Sequence, residues 1–246
     1  MSIKDVKQQL RKMDFIYKDG VYYRVVNDLL QNVEIWHSSM GCTYRVTFGL
    51  LPLCAGITNL HQGCLYELAN FCISDCTSYN SGWYYEKGNA EAKRLCVESI
   101  TSYWQTYLSP LFASADCCRT AFPALRAVFR KFEDTRLIQL KRAGISGVTS
   151  SFEMQCYLDR SLLYMALKNH DYSYASKALG EILQAEKSGY MNNVARYISE
   201  ERLQKHARTI CDLQALAKDV EGEKAEQIEG ILVLNERKSK ELLDSL

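Results

Sequence analysis

Charge of one sign, histidine, proline and long apolar runs are all scarce in this sequence, and each shortage closes off a class of function. Thirty Lys and Arg stand against 29 Asp and Glu, a formal net charge of +1 over 246 residues. No basic field exists to attract a phosphate backbone, so nucleic-acid binding is not expected. No stretch stays apolar for the ~20 residues that a bilayer-spanning helix needs, and the opening Met1-Ser2-Ile3-Lys4-Asp5-Val6 is amphipathic rather than leader-like. The expectation is a soluble, cytoplasmic protein with no membrane partner. The three prolines act as punctuation: Pro52 ends a strand, Pro110 interrupts a helix and Pro123 suits a first helical turn. No nucleophile elbow, phosphate loop, dinucleotide-binding glycine fingerprint, HExxH or kinase signature occurs, which disfavours the familiar enzyme classes.

What is present is enough apolar sequence for a sizeable core, 47% of residues against 24% charged, and ten cysteines. Without a secretion signal these read as reduced, buried thiols; Cys42, Cys96 and Cys211 each continue an apolar periodicity. One cluster stands apart. His61, Cys64, Cys72 and Cys76 form H-x2-C-x7-C-x3-C, four donors of the kind that tetrahedral zinc accepts, although the spacing lacks the tight two-residue knuckles of structural zinc sites. Core thiols beside an ordinary histidine remain the plainer reading, with no cofactor expected.

The N-terminal part reads as strands. Ser2 and Asp5 form a capping-box pattern ahead of Ile3, Val6, Leu10 and Met13 at helical spacing, so a short amphipathic helix opens the chain. Asp19-Gly20 between two apolar runs signals a two-residue hairpin. Strands are expected at about 21 to 26, 30 to 37 and 42 to 51, with Ile35 opposite Tyr44, Val33 opposite Val46 and Glu34 opposite Arg45. Keeping Val21, Tyr23 and Val25 on the buried face with Val33 and Ile35 requires a three-residue loop Asn27-Asp28-Leu29. The outer face then carries Tyr22, Arg24, Asn32, Glu34, Trp36, Thr43, Arg45 and Thr47. It is either a solvated face with a Glu34–Arg45 ion pair or a partner surface, since Trp and Arg often anchor interfaces.

Beyond the sheet the periodicity turns helical. A short helix around Leu65 to Phe71 and a last strand Trp83-Tyr84-Tyr85 precede a helix capped by Asn89, with Ala92, Cys96, Ile100, Tyr103 and Tyr107 on its face. Another runs from near Pro123 toward Ala143. Gly144 to Thr149 is the best internal boundary, giving an α+β domain over residues 1–147 and a helical domain over 148–246. In the latter, Leu163 to Leu167 leads through Asn169-His170-Asp171 to Tyr172, Ala175, Ala178 and Leu179, one tetratricopeptide-like helix pair without a second copy. Leu203, His206, Ile210, Leu213, Ala217 and Val220, then after Gly222 Ala225, Ile228, Leu232, Asn235, Ser239, Leu242 and Leu246, form the seams of a C-terminal helical hairpin or of a homodimer contact.

The arrangement Asp14-Phe15-x-Tyr17-x-x-Gly20-x-x-Tyr23-Arg24, then Leu30-Gln31-x-Val33-x-Ile35-x-x-Ser38-Ser39, then Tyr44-Arg45-Val46-Thr47-Phe48-Gly49-Leu50, with Gly82-Trp83 later, resembles an uncharacterised bacterial family known as a domain of unknown function. The likeness covers about residues 5 to 135; the cysteine-rich 54 to 76 segment departs from it, and the helix pair at 150 to 187 is similar to an extension of some Gram-positive members. The resemblance implies a bacterial cytosolic α+β protein of the kind encoded near toxin-immunity or defence genes, and it transfers no catalytic residue. Two functions follow as expectations. The first is a non-enzymatic protein-interaction protein of immunity or adaptor type, with Tyr22, Arg24, Glu34, Trp36 and Arg45 as its contact surface. The second is a small metal- or thiol-dependent enzyme centred on residues 61 to 76, pairing Cys64 or Cys76 with His37 or His61.

Overall fold

Helix α1, Ile3–Lys12, starts at the expected capping box, in which the Ser2 hydroxyl accepts from the Asp5 N–H and the Asp5 carboxylate reaches back to the Ser2 N–H. It buries Val6 and Leu10 against the sheet. The computed structural model describes residues 2–63, 66–67, 83–128, 130, 159–195 and 199–246. Its architecture is α+β, an N-terminal antiparallel meander followed by helices. The strands are β1 Ile16–Lys18, β2 Val21–Val26, β3 Leu29–Ser38 and β4 Thr43–Pro52. On the far side of β4, β5 Tyr66–Glu67 pairs with Thr47 and Phe48, and β6 Trp83–Tyr84 pairs with Thr43 and Tyr44. Tyr66 and Glu67 are thus strand where a helix from Leu65 was expected; the rest of that stretch, like the 144–149 boundary, lies outside the described residues.

The Asp19-Gly20 hairpin forms as read: Lys18 faces Val21, and both turn residues have positive φ, 50° and 91°. Two expectations about register are corrected. Asn27-Asp28 is a two-residue turn, with Asn27 left-handed at φ 53° and Val26 opposite Leu29. Tyr22 therefore faces Val33, and Tyr22 with Arg24 shares the inner face. Between β3 and β4 the pairing is offset by two residues, Ile35 to Val46, Glu34 to Thr47 and Trp36 to Arg45, because the four-residue loop is 39–42. An even offset leaves each side chain on its expected face.

The inner face, with Tyr22, Leu29, Val33, Tyr44, Val46, Phe48 and Leu50, is covered by α1 and by helices that follow the sheet. Helix α2, Ala90–Tyr103, is capped by Asn89, whose side chain accepts from the Ala92 N–H at 2.9 Å. Pro110 does not break the run. A π-helical turn, Trp104–Leu108, leads into α3, Ser109–Ser114, whose first turn carries the proline, so its missing N–H falls where the ladder is already reset. Trp104 is wholly buried and donates its indole N–H to Gln9 Oε1, and Phe112 sits edge-on to Phe15 and Phe48. Helix α4 begins at 118, earlier than Pro123, and is followed through 128.

Helices α5, Arg160–Lys168, and α6, Tyr172–Ala195, form the expected pair across a turn in which His170 is left-handed at φ 58°. Their buried Leu163, Ala166, Leu167, Ala175, Ala178 and Leu179 belong to the same continuous core as the inner sheet face. The C-terminal helices α7, Glu200–Glu221, and α8, Ala225–Asp244, break at Gly222 as read, but their seams do not chiefly face each other. Helix α7 lies on α6, where Glu186 accepts from both Arg160 and His206. The His206 imidazole packs over Gly189, where a Cβ would come within 3.3 Å of it.

Helix α8 instead packs on the segment that follows β4, and its C-terminal end reaches the outer sheet face. The Ser239 hydroxyl donates to Leu53 O at 2.7 Å and accepts from the Ile57 N–H at 2.8 Å, while the Asn235 amide donates to Cys54 O at 3.1 Å. Leu242 and Leu243 close a second small core of Leu30, Leu51, Leu53 and Ile57. Burying such a leucine removes it from water for about 1.5–3 kcal/mol. The second half of the stripe read as a hairpin or dimer seam, from Asn235 to Leu242, is thus occupied by this chain's own 53–57 segment, while Ile228 and Leu232 join Leu213, Leu216 and Val220 of α7 in the main core. Among the described residues no helix is long and apolar enough to cross a membrane.

Candidate functional site

The residues expected on the outer face divide between two environments. Tyr22 is 3% exposed and packs against Tyr17 on the inner face, where burial, first among its causes, pushes its phenol up. Arg24 turns inward as well. Its Nε donates to Gln31 Oε1 at 2.8 Å, Nη1 to Met13 O at 2.7 Å and Nη2 to Phe112 O at 2.9 Å, and its guanidinium lies 4.9 Å from the Phe15 ring centroid. The carbonyls belong to the end of α1 and to α3. Arg24 is therefore a brace between sheet and helices, and its placement on an outer contact surface is corrected: β2 runs Val-Tyr-Tyr-Arg-Val-Val, and the distant carbonyls offered to the guanidinium decide which face goes inward. Burial draws its pKa below the usual guanidinium value.

Glu34, Trp36 and Arg45 remain on the outer face, at the end that α8 does not reach. Trp36 is 51% exposed and stands opposite the exposed Arg45. One row along, Glu34 is gripped from two sides: Thr47 Oγ1 donates to Oε2 at 3.1 Å, and His61 Nδ1 lies 3.2 Å from Oε1. In the opposite direction Tyr84, paired with Thr43, adds a second half-exposed aromatic. Asn32 shares this face but is wholly buried, its amide donating to Leu60 O at 2.8 Å. The open end is consequently a strip of Tyr84, Trp36, Arg45, Glu34 and His61 on a rigid sheet.

The zinc candidates are not brought together in what is described. His61 is the only one of the four inside the described residues, Cys64, Cys72 and Cys76 lying outside them. Glu34 beside His61 supplies a second donor, and among the described residues no group of three or more His, Cys, Asp or Glu is positioned for a metal. The thiols divide too. Cys42 and Cys54 are buried, Cys96 is partly so, and Cys211, read as an apolar-face residue, is exposed. Cys118 is buried, and contact with the Cys54 thiol, ahead of burial itself, pushes its thiol far up, which keeps it protonated and inert.

One cluster was missed as a unit. His37, near the end of β3, stacks on its cross-strand partner Tyr44 with ring centroids 4.2 Å apart, and its Nε2 lies 2.8 Å from Tyr85 Oη. The alternation of β3 places His37 on the inner face with Val33 and Ile35, but Tyr85 arrives from 48 residues away, beyond any local pattern. Compared with known proteins, the chain matches no family model, no curated protein and no solved structure. The likeness drawn from residues 5 to 135 rests on the quoted residues alone.

Proposed function

We propose that this chain is a non-enzymatic bacterial interaction protein of immunity or adaptor type, acting in the cytoplasm, that grips another protein through the open end of its outer sheet face. The observation that carries the reading is Trp36, half-exposed on a rigid strand beside Arg45 and one row from Glu34. Trp and Arg supply much of the binding energy where proteins meet, and a sheet holds their backbone in place, so that only side-chain freedom is lost on binding. The test places a photo-crosslinking side chain at position 36 and, as a control, at exposed position 238 in cells producing the protein. A protein captured from position 36 alone, and released by Arg45→Ala and Glu34→Ala variants that melt like the parent, supports the reading. Capture that is equal from both positions, or unchanged in the variants, removes the surface assignment.

A second reading, a small metal- or thiol-dependent enzyme centred on residues 61 to 76, is favoured by the Glu34–His61 contact. A carboxylate on Nδ1 orients an imidazole so that Nε2 points toward a metal or a reacting group. Near-stoichiometric zinc in the purified protein, lost in a Cys72→Ser, Cys76→Ser double variant, supports this reading; zinc-free protein with unchanged stability under chelator opposes its metal form.

A further inference from the structure

Helices α4 and α6 meet at one guanidinium. Phe122 and Arg126 stand one turn apart on α4, and the first turn of α6 brings Tyr174 against them, its ring edge-on to Phe122 with centroids 5.1 Å apart. The Arg126 guanidinium carbon lies 5.4 Å from the Phe122 centroid and 5.0 Å from that of Tyr174. Both rings belong to the main core, so the cation is held by two fixed aromatic partners. What it lacks is an acceptor. Its Nε–H is buried without a hydrogen-bond partner. Arg94 and Arg160 each hold a carboxylate, whereas among the described residues none lies within ion-pair distance of Arg126, nor of the exposed Arg130 one helical turn further along the chain. Asp171, at the start of α6, is turned to that helix's own backbone and accepts the Tyr174 N–H at 3.0 Å. A buried donor without an acceptor is destabilising, and so are like charges four residues apart on a helix. One oxyanion would relieve both.

We propose that Arg126 and Arg130 form a receptor for a phosphate group, a tetrahedral oxyanion that accepts from both guanidinium groups at once. Arg126 as a residue is only half-buried, and rotation about its side-chain torsions turns the Nε–Nη2 fork, one of the edges by which a guanidinium grips an oxyanion, toward the ligand. Binding therefore satisfies the N–H that the free protein leaves without a partner. A planar carboxylate is filled by one such fork, whereas a phosphate has oxygens left for Arg130, and its second negative charge matches the second cation. The site shares no residue with the strip on the outer sheet face, so it stands or falls apart from that surface.

The test is carbon-13-detected NMR of the arginine Nε–Cζ signals in the whole chain, titrated at constant ionic strength with inorganic phosphate, phenyl phosphate and acetate at about pH 7.5, where a phosphate monoester is doubly charged. The Arg126 signal is identified by its loss in Arg126→Lys. The expected result is a saturable shift of that signal with inorganic phosphate or phenyl phosphate, half-complete at about 1 mM or below. Acetate should act about tenfold more weakly, and Arg130→Gln, a change at an exposed position, should weaken phosphate about fivefold. The tighter of the two phosphates tells whether the group arrives free or as a monoester. Absence of saturation, acetate as effective as phosphate, unchanged affinity in Arg130→Gln, or an equal shift of Arg94, whose guanidinium is already held by Glu91 and Glu98, overturns the receptor.

Discussion

Arg24 and Arg45 occupy adjoining regions of one sheet and have opposite lives. On the inner face, Arg24 is surrounded by backbone carbonyls from α1 and α3 and by the Phe15 ring, so that each donor group has work inside the protein. On the open end of the outer face, Arg45 stands exposed across from Trp36. The difference teaches that alternation decides which residues share a face, while the cover on a face is decided by segments far away in the chain. The same holds along the outer face itself: α8 closes the end at Leu30 and Leu51 and leaves the end at Trp36 open.

The largest expected effect tests the inner arginine. Arg24→Met should cost about 2–4 kcal/mol in urea unfolding, because Met13 O, Phe112 O and Gln31 lose a charged donor in a buried setting. Arg45→Met should change stability by no more than about 0.5 kcal/mol. Equal losses would erase the contrast between the faces. Next comes the cover on the outer face: Ser239→Ala, which strips the buried Ile57 N–H and Leu53 O of their hydroxyl partner, should cost about 1–2 kcal/mol and speed amide exchange at Ile57. A neutral result would mean that α8 rests on the sheet by its leucines alone. The smallest effect belongs to the open end, where Glu34→Gln weakens a half-exposed contact with His61 and should cost less than about 1 kcal/mol, shrinking further in salt.

Much of the fold is legible in the sequence for local reasons. Asp19-Gly20 supplies the positive φ that its turn needs, Ser2 with Asp5 and Asn89 cap the helices they precede, and the Leu163–Leu179 pattern makes the helix pair. What local pattern does not carry is partnership. Val21-Tyr22-Tyr23-Arg24-Val25-Val26 has bulky side chains on both faces, so its phase follows from the two-residue Asn27-Asp28 turn and the distant carbonyls that Arg24 meets, and Val25 is 44% exposed. Pro110 looked like an interruption because a π-turn is invisible in periodicity. The seam through Asn235 and Ser239 reads like one that meets another helix; its polar members instead pair with a turn at residues 53–57, some 180 positions earlier. Of the candidate surface, Glu34, Trp36 and Arg45 were legible, whereas Tyr22 and Arg24 were carried to the wrong face by that phase error.

Hydroxyl-radical footprinting of the intact protein reads both faces at once and tests their division most directly. Trp36 and Tyr84, each about half exposed, should oxidise rapidly, while Tyr22, Trp104 and Phe48 stay protected until the protein unfolds. Labelling of Tyr22 at the rate of Trp36, or protection of Trp36 in the isolated chain, would contradict the inward turn of Arg24's face and the open end opposite it.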